Sequence, residues 1–148
     1  MSDVRESILA RLYEIAKTVD PSARRMEVDV DPENLPYLVL IDGEEVFLGE
    51  VGKREVQAPG DMHLTPHFAF LVVTSDNAGP TMSTLRRKLI SAVCNDETLR
   101  NLTGVSHGRN KIGAQYTGND TNVQLGEGLV ASMILHFSIV YRFNLADL

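Results

Sequence analysis

The run GLVASMILHFSIVYRF, residues 128–143, is the longest apolar stretch of the chain, and its reading decides the fold. It is shorter than the ~20 apolar residues a membrane helix needs, and it contains His136, Ser138 and Arg142. A membrane β-strand needs only ~10 residues, but it also needs a closed set of similar partners. The rest of the sequence offers no such set, so no membrane partner is expected. Met133, Leu135, Phe137, Ile139, Tyr141 and Phe143 occupy every second position. Ser132, His136, Ser138, Arg142 and Asn144 lie among the others, mixed with Ile134 and Val140. Period two predicts a strand rather than a helix. Fully extended, residues 129–143 would span about 50 Å, longer than most strands. The odd face is predicted to lie under helices. The even face, centred on His136 and Ser138, is predicted to be half exposed in a monomer and covered by a neighbouring subunit.

Working outward, 148 residues make one domain, long enough for a single core without staples. The formal net charge of −6 excludes a surface built for general phosphate capture. It is compatible with an acidic wall past which DNA slides without sticking. Cys94 is the single cysteine, so no intramolecular disulfide forms, which suits a reducing compartment. The acidic, helix-periodic start of the chain is not expected to act as a signal peptide.

Val4, Ile8, Leu12, Ile15 and Val19 recur at spacings of three and four. They predict a helix from Asp3 to about Thr18, opened by a capping box of Asp3 with Glu6. Arg5, Glu6, Arg11, Glu14 and Lys17 should form its solvated face. RRMEVDVD predicts a half-buried strand with Met26, Val28 and Val30 inward. YLVLID reads as a strand, Asp42-Gly43 as a hairpin turn, and EEVFLGE as the returning partner. Residues 49–62 have the composition of an exposed loop or arm. HLTPHFAFLVVTS is a strand whose early half, at Pro66, should be an edge or a bulge. A second helix begins near Pro80 with Met82, Leu85, Leu89 and Val93 buried. A short third helix, capped by Asn95 or Asp96, ends at Gly104. VSHGRN is a loop, KIGAQYTG a strand ended by glycine, and NDTNVQLGEG a polar loop. The predicted class is α+β, with one largely antiparallel sheet and two main helices plus one short helix packed on one face.

Chemistry-bearing clusters are sparse. His63 and His67 have a ligand-like spacing, but on a strand they would face one way roughly 13 Å apart, too far to share a metal. Asp29, Asp31, Glu33, Asp42, Glu44 and Glu45 form an acidic cluster at two strand ends, read as turn chemistry. The alternative is a weak Mg²⁺ or Ca²⁺ site, within one subunit or between two. GVSHGRNKIGAQYTG lacks the Gly-Lys-Ser/Thr of a phosphate-binding loop. Cys94 sits at the wrong end of its helix for a nucleophile. No catalytic set stands out, so the chain is expected not to be an enzyme and to have no resident cofactor.

ESILARLYEIAKTV, PYLVLIDGEE, LRRKLISAVCNDETLRNLTG, IGAQYTG and the long strand before FNLADL together resemble small tail proteins of long-tailed bacteriophages. The resemblance spans nearly the whole chain and is best to the tail terminator, or tail completion, group of minor tail proteins. It implies an α+β subunit, no enzyme activity, and a ring of commonly six copies. The ring would sit at the head-proximal end of the virion's tail, after assembly in the host cytoplasm. There it would stop tail-tube growth and face the head–tail connector protein. The implied partners are other copies of the chain, the tail tube protein and the connector, with DNA passing through unbound. Arg86 and Arg87 could then meet the acidic cluster of the next subunit, with Asp29, Asp31 and Glu44 its candidate contacts. Lys53, Arg54, Val56 and Gln57 would lie on an arm that orders on docking. The competing expectations are a small metal-dependent nuclease using Asp29, Asp31, Asp42 and Glu44, or another neck or tube-related adaptor.

Overall fold

The computed structural model runs α1 (Val4–Val19), β1 (Arg24–Arg25), β2 (Tyr37–Phe47), β3 (Gly60–Val73), α2 (Ala78–Cys94), α3 (Glu97–Thr103), β4 (Ser106–His107), β5 (Asn110–Lys111), β6 (Gln115–Gln124) and β7 (Val130–Phe143). It describes residues 3–27, 37–48, 60–73, 78–124 and 130–143. Five strands form one sheet in the order β1-β2-β3-β7-β6, and β4 and β5 form a separate small hairpin. Among the described strands of that sheet, only β1 against β2 is parallel. The class is α+β, with the helices on one face of the sheet. Among the described residues, no helix is long and apolar enough to cross a membrane.

Alternation on the two middle strands builds the core. Leu64, Phe68 and Phe70 of β3 and Leu135, Phe137 and Ile139 of β7 are buried toward the helices. Phe68 and Phe137 meet edge to face, with centroids 5.6 Å apart, the arrangement aromatic quadrupoles prefer. Helix α1 contributes Ile8, Leu9, Leu12, Ile15 and Ala16. Helix α2 contributes Met82, Leu89 and Val93, with Leu85 packed at the margin. Asp3 caps α1 by accepting from the Glu6 amide, and Asp96 caps α3 by accepting from the Leu99 amide. Gly104 closes α3 in the left-handed conformation at φ 66°.

Several local expectations are corrected. The Glu6 carboxylate does not complete a capping box; it pairs with Arg25 at 2.6 Å. Met26 is not a core residue: it has φ 58° and is 58% exposed, while Val28 and Val30 lie outside the described residues. Asp42-Gly43 is not a hairpin turn. Strand β2 runs straight through it, and the register against β3 slips by one residue between Ile41 and Glu44. Two β2 residues thus oppose Pro66, whose nitrogen has no hydrogen to donate, so the bulge falls where the ladder is already interrupted. Gly43 sits there at φ +78°, and a Cβ would run into the Thr65 carbonyl. Of the edge or bulge expected at Pro66, the structure has the bulge, since β3 pairs with both β2 and β7.

Toward the C-terminal part, VSHGRN contains a hairpin rather than a plain loop, turning at Gly108 with φ +62°. Gly118 does not end a strand. It sits at a second bulge, between Tyr116 and Gly118, and β6 continues through the polar residues to Gln124. An edge strand tolerates that polarity because β7 supplies its ladder while its other side faces water. Residues 60–62, expected in the arm, belong to β3. The rest of that arm, with Lys53, Arg54, Val56 and Gln57, lies outside the described residues, as do Asp29 and Asp31.

Candidate assembly surface

Where the pleat buries odd residues of β7 under the helices, it presents even ones on the opposite, helix-free face. His67 of β3 stands directly across from His136 of β7, with ring centroids 5.7 Å apart. His136 Nε2 lies 2.9 Å from Asp120 Oδ2 on β6, and His63 Nε2 lies 2.7 Å from Ser138 Oγ. Three strands therefore contribute to one polar row across the open face. Burial, with a smaller push from the neighbouring His136, holds the His67 imidazole below its ordinary value and favours its neutral form. The His136 side chain is 43% exposed, as the period-two reading of β7 requires.

Some members of this row were legible in the sequence and others were not. His136 and Ser138 stand on the expected face. His63 and His67 do point the same way, but each pairs across to β7 rather than remaining an isolated surface residue. Asp120 was missed, because it fell in a stretch read as loop, and no local signal pairs it with His136.

The remaining candidates separate. Arg86 is half-buried, its guanidinium 5.4 Å from the Tyr116 ring centroid, while Arg87 is exposed. Both belong to α2, on the helix side of the sheet. Glu44 is exposed on β2, just past the bulge, and its carbonyl accepts from the Thr65 hydroxyl. The acidic cluster does not converge as a metal site in its described part. Asp42 takes a two-bond pairing from Arg25, at 3.0 and 2.9 Å, and the same guanidinium holds Glu6. Glu45 pairs with Arg5 at 3.3 Å and accepts from the Tyr141 hydroxyl. Among the described residues, no group of three or more His, Cys, Asp or Glu is placed to hold a metal. These carboxylates fasten α1 to the sheet instead. The supposedly solvated face of α1 thus carries part of its docking, since Arg11 also grips Asp96 at 2.7 Å.

One apolar feature went unread. Val46, Phe47 and Leu48, at the end of β2, are 54%, 50% and 51% exposed. Phe47 leans edge-on toward Phe143, with centroids 6.3 Å apart. Successive residues of a strand face opposite ways, so these exposed side chains are shared between the two faces of the sheet's end. Cys94, by contrast, is a half-buried thiol whose pKa is raised chiefly by that burial, the opposite of an activated nucleophile.

No protein-family model matches the chain, and no curated protein matches it by sequence. Among solved structures, the chain is similar to one in a structure described as "Virion of native gene transfer agent (GTA) particle". The TM-score is 0.56 at 11% identity, and the match covers 94% of this chain and 92% of the other. At that identity the likeness is one of fold, and it extends over nearly the full length of both chains.

Proposed function

We propose that this chain is a structural subunit of a phage-type virion, acting as a tail terminator. Copies assemble into a ring, with six the expected number. One face of the ring complements the last ring of the tail tube. The other face does not, so tube growth stops and a docking surface for the head connector remains. The observation that carries this reading is the near-complete, two-way coverage of the fold match to a chain of a gene transfer agent virion. The polar row on the open sheet face and the exposed end of β2 support it, since both are surfaces a neighbour could cover. A contact of Arg86 and Arg87 with Asp29, Asp31 and Glu44 of the next copy belongs to the same reading, and so, separately, does a weak Mg²⁺ dependence of assembly. Arg86 contributes less to such a contact, being held over Tyr116.

Size-exclusion light scattering and negative-stain images of the purified protein test the proposal. Rings that form with rising concentration, and that cap purified tail tubes, are expected. A protein that stays monomeric at high concentration, with and without Mg²⁺ and tail tubes, sinks it. Within that experiment, His136→Glu or Ser138→Glu should impair ring formation while the monomer stays folded. Unchanged rings would move the interface off the open face.

A further inference from the structure

We propose that the cleft between α3 and the β4–β5 hairpin binds a carboxylate-rich segment of a partner protein. The cleft has a volume of about 460 Å³ and is lined by Glu97, Arg100, Asn101, Arg109, Asn110 and Lys111. Three cations face a single carboxylate there, in a chain whose overall charge is −6. None of the three is ion-paired with a described residue. The arginines that hold the fold together are different: Arg5, Arg11, Arg25 and Arg142 each have a carboxylate partner. With three cations against one carboxylate the cleft keeps an excess of like charge, and an anion entering it relieves the repulsion that remains.

The walls of the cleft are set before any ligand arrives. Thr103, fully buried, donates to the Ile112 carbonyl at 2.6 Å, and the Ile112 amide donates to the Val105 carbonyl at 2.9 Å. These two bonds clamp the hairpin to the end of α3. Gly113 lies against the Arg100 stem, where a Cβ would come within 2.9 Å of Cγ. The Arg100 guanidinium is anchored on the Cys94 carbonyl at 3.1 Å, and Lys111 Nζ reaches the Asn101 side-chain oxygen at 2.7 Å. Two cations are therefore held in place, while Arg109 stands exposed at the hairpin turn, free to close on what enters. Such preorganisation lowers the ordering cost of binding.

The lining selects the ligand class. The volume lies in the ~300–1,000 Å³ range of sites for ligands with several groups, well beyond one phosphate. No aromatic ring lines the cleft to stack a base, which disfavours single-stranded nucleic acid. Cations for carboxylates, beside the amides of Asn101 and Asn110 for main-chain groups, fit an acidic peptide. This cleft is independent of the terminator reading, because a chain that forms no ring would still present it.

The test is a titration of the isotope-labelled protein with a short oligo-glutamate peptide, followed by backbone and side-chain amide shifts. Inorganic phosphate and a single-stranded oligonucleotide are the parallel arms. Saturable shifts confined to residues 97–111 are expected, weakened by added salt. The double variant Arg109→Ala/Lys111→Ala should bind about tenfold more weakly, whereas Arg87→Ala should bind as the wild type does. Arg109→Gln, changed at an exposed turn where folding is not at stake, should weaken binding about threefold. Absence of saturable shifts, equal affinity of the Arg109 variants, or the same shifts from phosphate or oligonucleotide but not from peptide would each overturn the proposal.

Discussion

The two faces of the sheet share the same strands and differ in almost everything else. Toward the helices, Phe68, Leu135 and Phe137 are almost wholly excluded from water. One residue along on each strand, His67, His136 and Ser138 form a polar row open to solvent or to a neighbour. The covered face gains its stability from apolar burial and close packing, and the open face holds polar side chains paired across strands. Both depend on register, since a shift of one residue would exchange the two sets of side chains. Apolar burial is thus concentrated on one side of a single strand and polar pairing on the other.

The largest effect should come from the covered face. Phe137→Ala removes a ring from between Phe68 and Tyr116 and is expected to cost about 3–5 kcal/mol. Chemical denaturation measures it, and Ser138→Ala, one residue away on the open face, should cost under about 1 kcal/mol by the same measurement. Equal losses would erase the contrast between the faces. Gly43→Ala tests the device that keeps β2 in register through the bulge. With positive φ and the Thr65 backbone in the way, it should cost roughly 2–3 kcal/mol and perturb the amides of Thr65 and His67.

Asp96→Ala removes both the α3 cap and the grip on Arg11, at an expected cost of about 1–2 kcal/mol in thermal or chemical melts. The Arg11 hydrogen bond chiefly holds the Asp96 carboxyl below its ordinary 3.8. That contribution is complete above the ordinary value and disappears as pH falls through the lower folded one. Asp96→Asn should therefore flatten the acid limb of the stability curve. The smallest effect belongs to the open face. His67 titrates below its ordinary 6.5 in the folded chain, so the unfolded chain takes up the proton first. Stability should be full above that value and decline as pH falls below it. His67→Gln should remove that slope, and an unchanged slope would mean that the burial of His67 has no energetic weight.

Much of the architecture could be read from local pattern. The alternation at Met133, Leu135 and Phe137 gave β7 and its two faces. The spacing of Ile8, Leu12 and Ile15 gave α1, and Asp3, Asp96 and Gly104 marked helix ends where the structure has them. The errors share one origin. Asp42-Gly43 and Gly118 carry turn chemistry that serves equally well in a bulge, and only the partner strand decides between them. Arg11 and Asp96 are 85 residues apart, so nothing near either one announces the pair. The cationic cleft was hidden in the same way, because Arg100 and Lys111 come from different elements.

By itself the sequence determined the helices, the long apolar strands and which faces of those elements turn inward. Those properties follow from backbone geometry with periods of 3.6 and 2, and any stretch of chain carries them on its own. Only the tertiary structure decided that β3 lies in the middle of the sheet and that β7 pairs between β3 and β6. From that order came the row of His63, His67, His136 and Asp120 and the pairing of Asp42 with Arg25 and of Glu45 with Arg5. Strand order and register are set by the packing of distant segments against a shared core, and no local period encodes that choice.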